Sequence, residues 1–261
     1  MGESGDLQTK RPEKTEVLVF QKREKLYDFL IKKWGEISGK AIQEKGIFTV
    51  ALSGGESPVG FYQRLAYSKN LFPWSNTHIF LADERFVPFE HPDSNYGMIR
   101  KDLLSRISLP PQNVHPIRIF QTAEISAEKY EEDLRVFFNP EKVGFPEFDL
   151  ILLGIGEEGH TASLFPGDSA LSETQRLTAA VHLDKEKHDR VTLTLSVINR
   201  ARQVIFLVSG REKSEIIKEV LEKPENNLPA SMVRPVEGKL FFLLDKEAGS
   251  LLSQDKTALK K

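Results

Sequence analysis

Short apolar runs alternating with stretches of helical periodicity constrain this chain more than any other feature. Phe48–Leu52, His78–Ala82, Phe148–Leu153, Val191–Leu195, Val204–Val208 and Leu240–Leu244 each read as a strand of five or six residues. Between Glu24 and Lys45, Leu26, Phe29, Leu30, Trp34, Ile37, Ala41 and Ile42 follow helical spacing, and Gly46 supplies a C-terminal stop. Further helices are predicted over Pro58–Tyr67, Asn95–Ile107, Ala127–Phe138 and Glu212–Glu222, with Ser57 as N-cap and Pro58 in the first turn of the second. Such alternation implies a single-domain, Rossmann-like α/β fold: a mostly parallel sheet with helices on both faces. In that architecture ligands bind at loops leaving the carboxyl ends of strands.

Composition narrows the chemistry. At 261 residues the chain can bury a sizeable core, and no shift in composition marks a linker. A net charge of −2 leaves no electrostatic footprint for nucleic acid or membrane. With no cysteine there is no disulfide framework, thiol nucleophile or thiolate zinc site, so six histidines and the carboxylates carry any site chemistry. No apolar segment approaches the ~20 residues of a membrane span, and the expected location is cytoplasmic. Residues 1–16 read as a polar arm without a signal-peptide core, and Asp6 stands where a myristoylation signal prefers Ser or Thr. Residues 17–252 are expected to form the α/β domain and 253–261 a frayed tail. A monomer or small homo-oligomer is expected.

Four loops at predicted strand ends carry candidate residues. Ser53-Gly54-Gly55-Glu56-Ser57-Pro58 is neither a P-loop nor a GxGxxG loop; it reads either as a tight βα turn or as a cradle of free amides for an anion. Asp83-Glu84-Arg85 follows the strand HIFLA, with HPDSNYG close behind, and is either a rim ion pair or a carboxylate and guanidinium that orient substrate. In FDLILLGIGEEGHTASLFPG, a strand stops at a bend rich in glycine (Gly154, Gly156, Gly159) that presents His160, whose ordinary pKa of about 6.5 suits a general base. Glu157 and Glu158 either steady that ring when protonated or are simply solvated. The fourth group is basic: Lys187 and Arg190 before VTLTL, Arg211 and Lys213 after VIFLVSG, each pair either solubilising or within reach of a phosphate. His182 and His188 lack HExxH spacing, and His91 with Asp93 is too sparse for a closed site, so no metal and no cofactor are expected.

LSGGESP, ADERFVPFEHPDSNYGM, FDLILLGIGEEGHTASLFPG and LVSGREK, in that order, resemble the motifs of 6-phosphogluconolactonases, in the wider fold group of sugar-phosphate deaminases and isomerases. The resemblance runs from about Val17 to Leu252. It implies hydrolysis of a phosphorylated sugar lactone, 6-phospho-D-glucono-1,5-lactone, in the oxidative pentose phosphate pathway. His160 would be the general base, with Asp83 and Arg85 organising substrate or the histidine's surroundings. Gly54, Gly55, Ser57, Glu158, Lys187, Arg190 and Lys213 would line the substrate and phosphate subsites.

Two positions separate this chain from the related deaminases. Where those carry a glutamate before Pro-Gly, this chain has Phe165, and Arg85 replaces a tyrosine. An apolar ring cannot relay a proton, so amino-sugar isomerisation lacks a member of its machinery. Within the lactonase pattern, Glu158 stands where Asp usually precedes the Gly-His pair.

Overall fold

The computed structural model describes residues 15–138, 144–184, 187–253 and 258–260. In chain order they form β1 (Thr15–Phe20), α1 (Arg23–Lys45), β2 (Phe48–Leu52), α2 (Val59–Tyr67), β3 (Thr77–Leu81), β4 (Asp83–Arg85), α3 (Asn95–Asp102), β5 (Val114–His115), α4 (Ala123–Phe138) and β6 (Leu150–Leu153). Then follow β7 (Thr178–Val181), β8 (Arg190–Leu193), α5 (Leu195–Ile198), β9 (Gln203–Val208), α6 (Ser214–Glu222), α7 (Pro229–Met232), β10 (Lys239–Asp245) and β11 (Ala258–Lys260).

Eight parallel strands lie in the order β11-β1-β10-β9-β6-β2-β3-β5. From β2 the chain steps outward through β3 to β5, then returns to the other side of β2 as β6 and steps outward again through β9 and β10. The loops after β2 and β6 therefore diverge from a topological switch point, which opens a crevice at the carboxyl edge of the sheet. The strands at this junction are buried along their full length, as a sheet covered on both faces requires. Helix α1 turns Leu26, Leu30, Trp34, Ile37 and Ala41 inward, and Trp34 meets Phe48 edge-on at 5.2 Å. Gly46 ends α1 in the left-handed region at φ 83°, its amide bonded to the Ile42 carbonyl.

The structure differs from the sequence reading at several boundaries. The strand beginning near Val191 is β8, which pairs antiparallel with β4 and β7 in a separate three-stranded sheet. Helix α2 has Pro58, not Ser57, at its N-cap, and no side chain caps it. Helix α3 stops at Asp102, with 104–106 continuing as a 3-10 turn, and α6 starts at Ser214 after a 3-10 turn over 211–213. Ser94 caps α3 by accepting from the Gly97 amide at 3.0 Å. In the segment read as a tail, 258–260 pairs with β1 as an edge strand. Most of the expected arm, residues 1–14, lies outside the described residues, and Thr15 and Glu16 begin β1.

Candidate active site

A cleft of about 630 Å3 opens at the switch point, within the range of small-molecule sites. The ten residues that the family resemblance assigns to the site line it: Gly54, Gly55, Ser57, Asp83, Arg85, Glu158, His160, Lys187, Arg190 and Lys213; Arg211, offered with Lys213 as a phosphate contact, is not among the lining residues. The ten come from the loops after β2, β6 and β9, from strands β4 and β8, and from the β7–β8 connection, segments far apart in sequence.

The loop after β6 is a closed turn built for one ring. The Gly156 amide donates to the His160 carbonyl at 2.9 Å, the Gly159 amide to the Gly156 carbonyl at 3.0 Å, and the Thr161 hydroxyl to the Gly154 carbonyl at 2.9 Å. Gly159 needs its positive φ of 82°, and a Cβ on Gly156 would collide with the imidazole that lies over it. On its other side the ring meets Phe165 at 4.4 Å between centroids. Burial lowers the His160 pKa below the ordinary imidazole value; Glu158 and Asp83 act in the opposite sense, and Lys213 adds to the lowering.

Glu158 Oε2 lies 3.2 Å from His160 Nδ1, a charge contact not aligned as a hydrogen bond. Partial burial works against ionisation of Glu158, yet its own backbone amide, His160 and Lys187 outweigh that and hold its pKa below the ordinary carboxylate value. Glu158, expected to line the substrate subsite or to steady the ring, lines the cleft and lies against the histidine.

Asp83 is buried, and its Oδ2 accepts from the Ser163 hydroxyl at 2.7 Å. The Ser163 amide in turn donates to Thr192 Oγ1 on β8. Neither partner stands out in the sequence, since a serine or threonine carries no signal until its neighbour is known. Beside Asp83, the Glu84 carboxylate accepts from the amides of Arg85, Asn95 and Tyr96 and from the Ser94 hydroxyl, which fastens β4 to the start of α3. Burial pushes Glu84 up to about 7, against those donors. The Asn95 side chain donates to the Asp83 carbonyl at 2.9 Å, and its Oδ1 occupies the space a Cβ on Gly54 would need.

Arg85 and Arg190 are direct cross-strand partners in the β4–β8 pair. Arg85 Nη1 donates to the Asp93 carbonyl at 2.7 Å and Arg190 Nη1 to the His188 carbonyl at 2.8 Å. Burial lowers the Arg190 pKa, and the like charge of Arg85 lowers it further. Two cations placed opposite one another on a small sheet destabilise the pair unless an anion lies between them. Ser57 and Gly55 also line the cleft, Gly55 with a φ of 91°, and the Ser53 carbonyl is held by the buried Tyr62 hydroxyl at 2.7 Å.

Residues 21–242 match the family model described as glucosamine-6-phosphate isomerases/6-phosphogluconolactonase. The chain belongs to this family. It is 43% identical over 216 residues to a 6-phosphogluconolactonase of Synechocystis sp., an alignment covering 82% of this chain and 88% of the relative. Among solved structures of the family, a 6-phosphogluconolactonase from Trypanosoma cruzi superposes with a TM-score of 0.80 at 31% identity, covering 92% of this chain and 97% of that one. The 6-phosphogluconolactonase from Thermotoga maritima gives 0.77 at 34% identity, over 89% and 100% of the two chains. Both likenesses confirm the mixed α/β fold with its mostly parallel sheet and flanking helices. Among the described residues, no helix is long and apolar enough to cross a membrane.

Proposed function

We propose that this protein hydrolyses 6-phospho-D-glucono-1,5-lactone to 6-phospho-D-gluconate, with His160 as general base. The supporting observation is that an imidazole whose pKa is lowered by burial shares one cleft with the paired guanidiniums of Arg85 and Arg190. That combination suits an anionic substrate whose reaction begins with deprotonation of water.

In the first step neutral His160 takes a proton from water as the water oxygen bonds to the lactone carbonyl carbon. The carbonyl oxygen becomes an oxyanion and requires donors placed beforehand. Of the two glycine-rich loops, the one after β6 spends its Gly156 and Gly159 amides on its own turn, which favours the Gly54-Gly55 backbone for this task. When the tetrahedral species collapses, the bond to the ring oxygen breaks and the imidazolium returns its proton to that oxygen. The product is the open-chain acid, which ionises in water, and no covalent enzyme intermediate forms. Glu158, beside Nδ1, stabilises the imidazolium while it lasts.

Arg85 and Arg190 are the anchors we assign to the phosphate, with Lys187, Lys213 and Ser57 bordering the same cleft. Asp83 acts through Ser163 as a positioning residue for the His160 loop. The apolar contact of Phe165 with His160 leaves no carboxylate at that place to relay a proton in amino-sugar chemistry. Parallel assays test the reading: the lactone should be consumed faster than its spontaneous hydrolysis, and glucosamine 6-phosphate should release no ammonia. Ammonia release without lactone turnover would overturn it.

A further inference from the structure

Three side chains that the proposed reaction does not use meet beside the cleft. Asp93 Oδ2 lies 3.1 Å from His188 Nε2 and 3.8 Å from His91 Nδ1, and one ligand atom from each residue lies within 4.8 Å of the others. Read along the chain, His91 and Asp93 look too sparse for a closed site, and His188 stands 95 residues from Asp93. The fold closes that gap because β4 pairs with β8 in a register that sets Arg85 opposite Arg190, bringing the segments that flank those strands together.

The donor geometry suits a small cation. Tetrahedral coordination at metal–ligand bonds of about 2.0–2.1 Å separates ligand atoms by roughly 3.3 Å, which the two observed spacings bracket. The Asp93 amide donates to His91 Nδ1 at 3.2 Å, so that nitrogen's lone pair faces Asp93 and a bound metal ion would replace this hydrogen bond. Two imidazoles and one carboxylate favour a borderline transition metal over Mg2+ or Ca2+, which prefer oxygen. The three side chains are 37%, 54% and 42% exposed, so an ion can enter and a fourth position stays open to water.

We propose that His91, Asp93 and His188 bind one divalent transition-metal ion of the Zn2+ class. The ion would tie the segment before α3 to the segment before β8. Because Arg85 and Arg190 donate to the carbonyls of Asp93 and His188, the same ion would steady the anchors of both guanidiniums. Those two positive charges oppose a cation, so the site is one that loads and releases with metal supply and is stripped by a chelator.

Calorimetric titration of the chelator-treated full chain with Zn2+ at neutral pH tests this. One saturable site is expected, weakened roughly tenfold or more by either His91→Gln or His188→Gln and retained in His160→Gln and His182→Gln; Mg2+ should produce no binding. Zn2+ should also raise the melting temperature of the wild type but not of His188→Gln, since only a ligand that binds the folded state stabilises it. Absence of a saturable Zn2+ site, or binding that survives His188→Gln and disappears with His160→Gln or His182→Gln, would overturn the proposal.

Discussion

The Ser163 hydroxyl donates to Asp83 Oδ2 at 2.7 Å, and this hydrogen bond joins the loop that carries His160 to the first residue of β4. Both residues are buried, so removing the hydroxyl deprives a desolvated carboxylate of a donor, at a cost of about 1–3 kcal/mol. Ser163→Ala should lose that much stability in urea unfolding and lower kcat more than it raises KM. Lost stability with unchanged kcat would reduce Ser163 to a purely structural residue.

Arg190 sits opposite Arg85 and shares its like charge, an arrangement an anion relieves. A charge-assisted bond to phosphate contributes about 1.5–3 kcal/mol, so Arg190→Ala should raise KM roughly tenfold to hundredfold with little change in kcat. Inorganic phosphate should inhibit the variant less than the wild type. A large fall in kcat at unchanged KM would contradict phosphate anchoring.

In the proposed mechanism, proton transfer to His160 would set the acid limb of the pH profile. Burial lowers its pKa, so kcat/KM should stay level through neutrality and fall only below the ordinary imidazole value of about 6.5. Glu158 favours the protonated ring; replacing it with Gln removes that influence and should move the limb to still lower pH. A limb that stays in place or moves upward in Glu158→Gln would break the link between the two residues.

Gly54 and Gly55 are adjacent but are predicted to fail differently. A Cβ at Gly54 would displace the Asn95 amide that holds the Asp83 carbonyl, whereas a Cβ at Gly55 meets open space and only the φ of 91° resists it. Gly54→Ala should cost about 1–3 kcal/mol and lower activity by moving Asp83 and its neighbours. Gly55→Ala should cost roughly 1–2 kcal/mol through the backbone alone. Thermal unfolding with steady-state kinetics separates them, and a neutral Gly54→Ala would contradict the placement of Asn95.

The parallel sheet and the His160 loop were legible in the sequence for local reasons. Runs such as FTVAL and LILL are too apolar and too short for anything but buried strands, and three glycines after such a run mark a bend. What stayed hidden was non-local. Strand β4 is the polar tripeptide Asp83–Arg85, a strand only by virtue of pairing with β8, and the direction of that pairing is set by tertiary contact. Ser163 reads as an ordinary loop residue until Asp83 is brought against it. Glu84 passes for a solvated acid until burial and three backbone amides surround it. The approach of His188 to Asp93 depends on the same strand register, which no local pattern encodes.

The most direct test measures lactone hydrolysis above the spontaneous rate for the wild type and for His160→Ala, with circular dichroism to establish that both are folded. A general base contributes about 10²–10⁴-fold, so the wild type should accelerate hydrolysis and the variant should lose that factor in kcat. Equal rates in two folded proteins would contradict the role of His160 and, with it, the proposed mechanism.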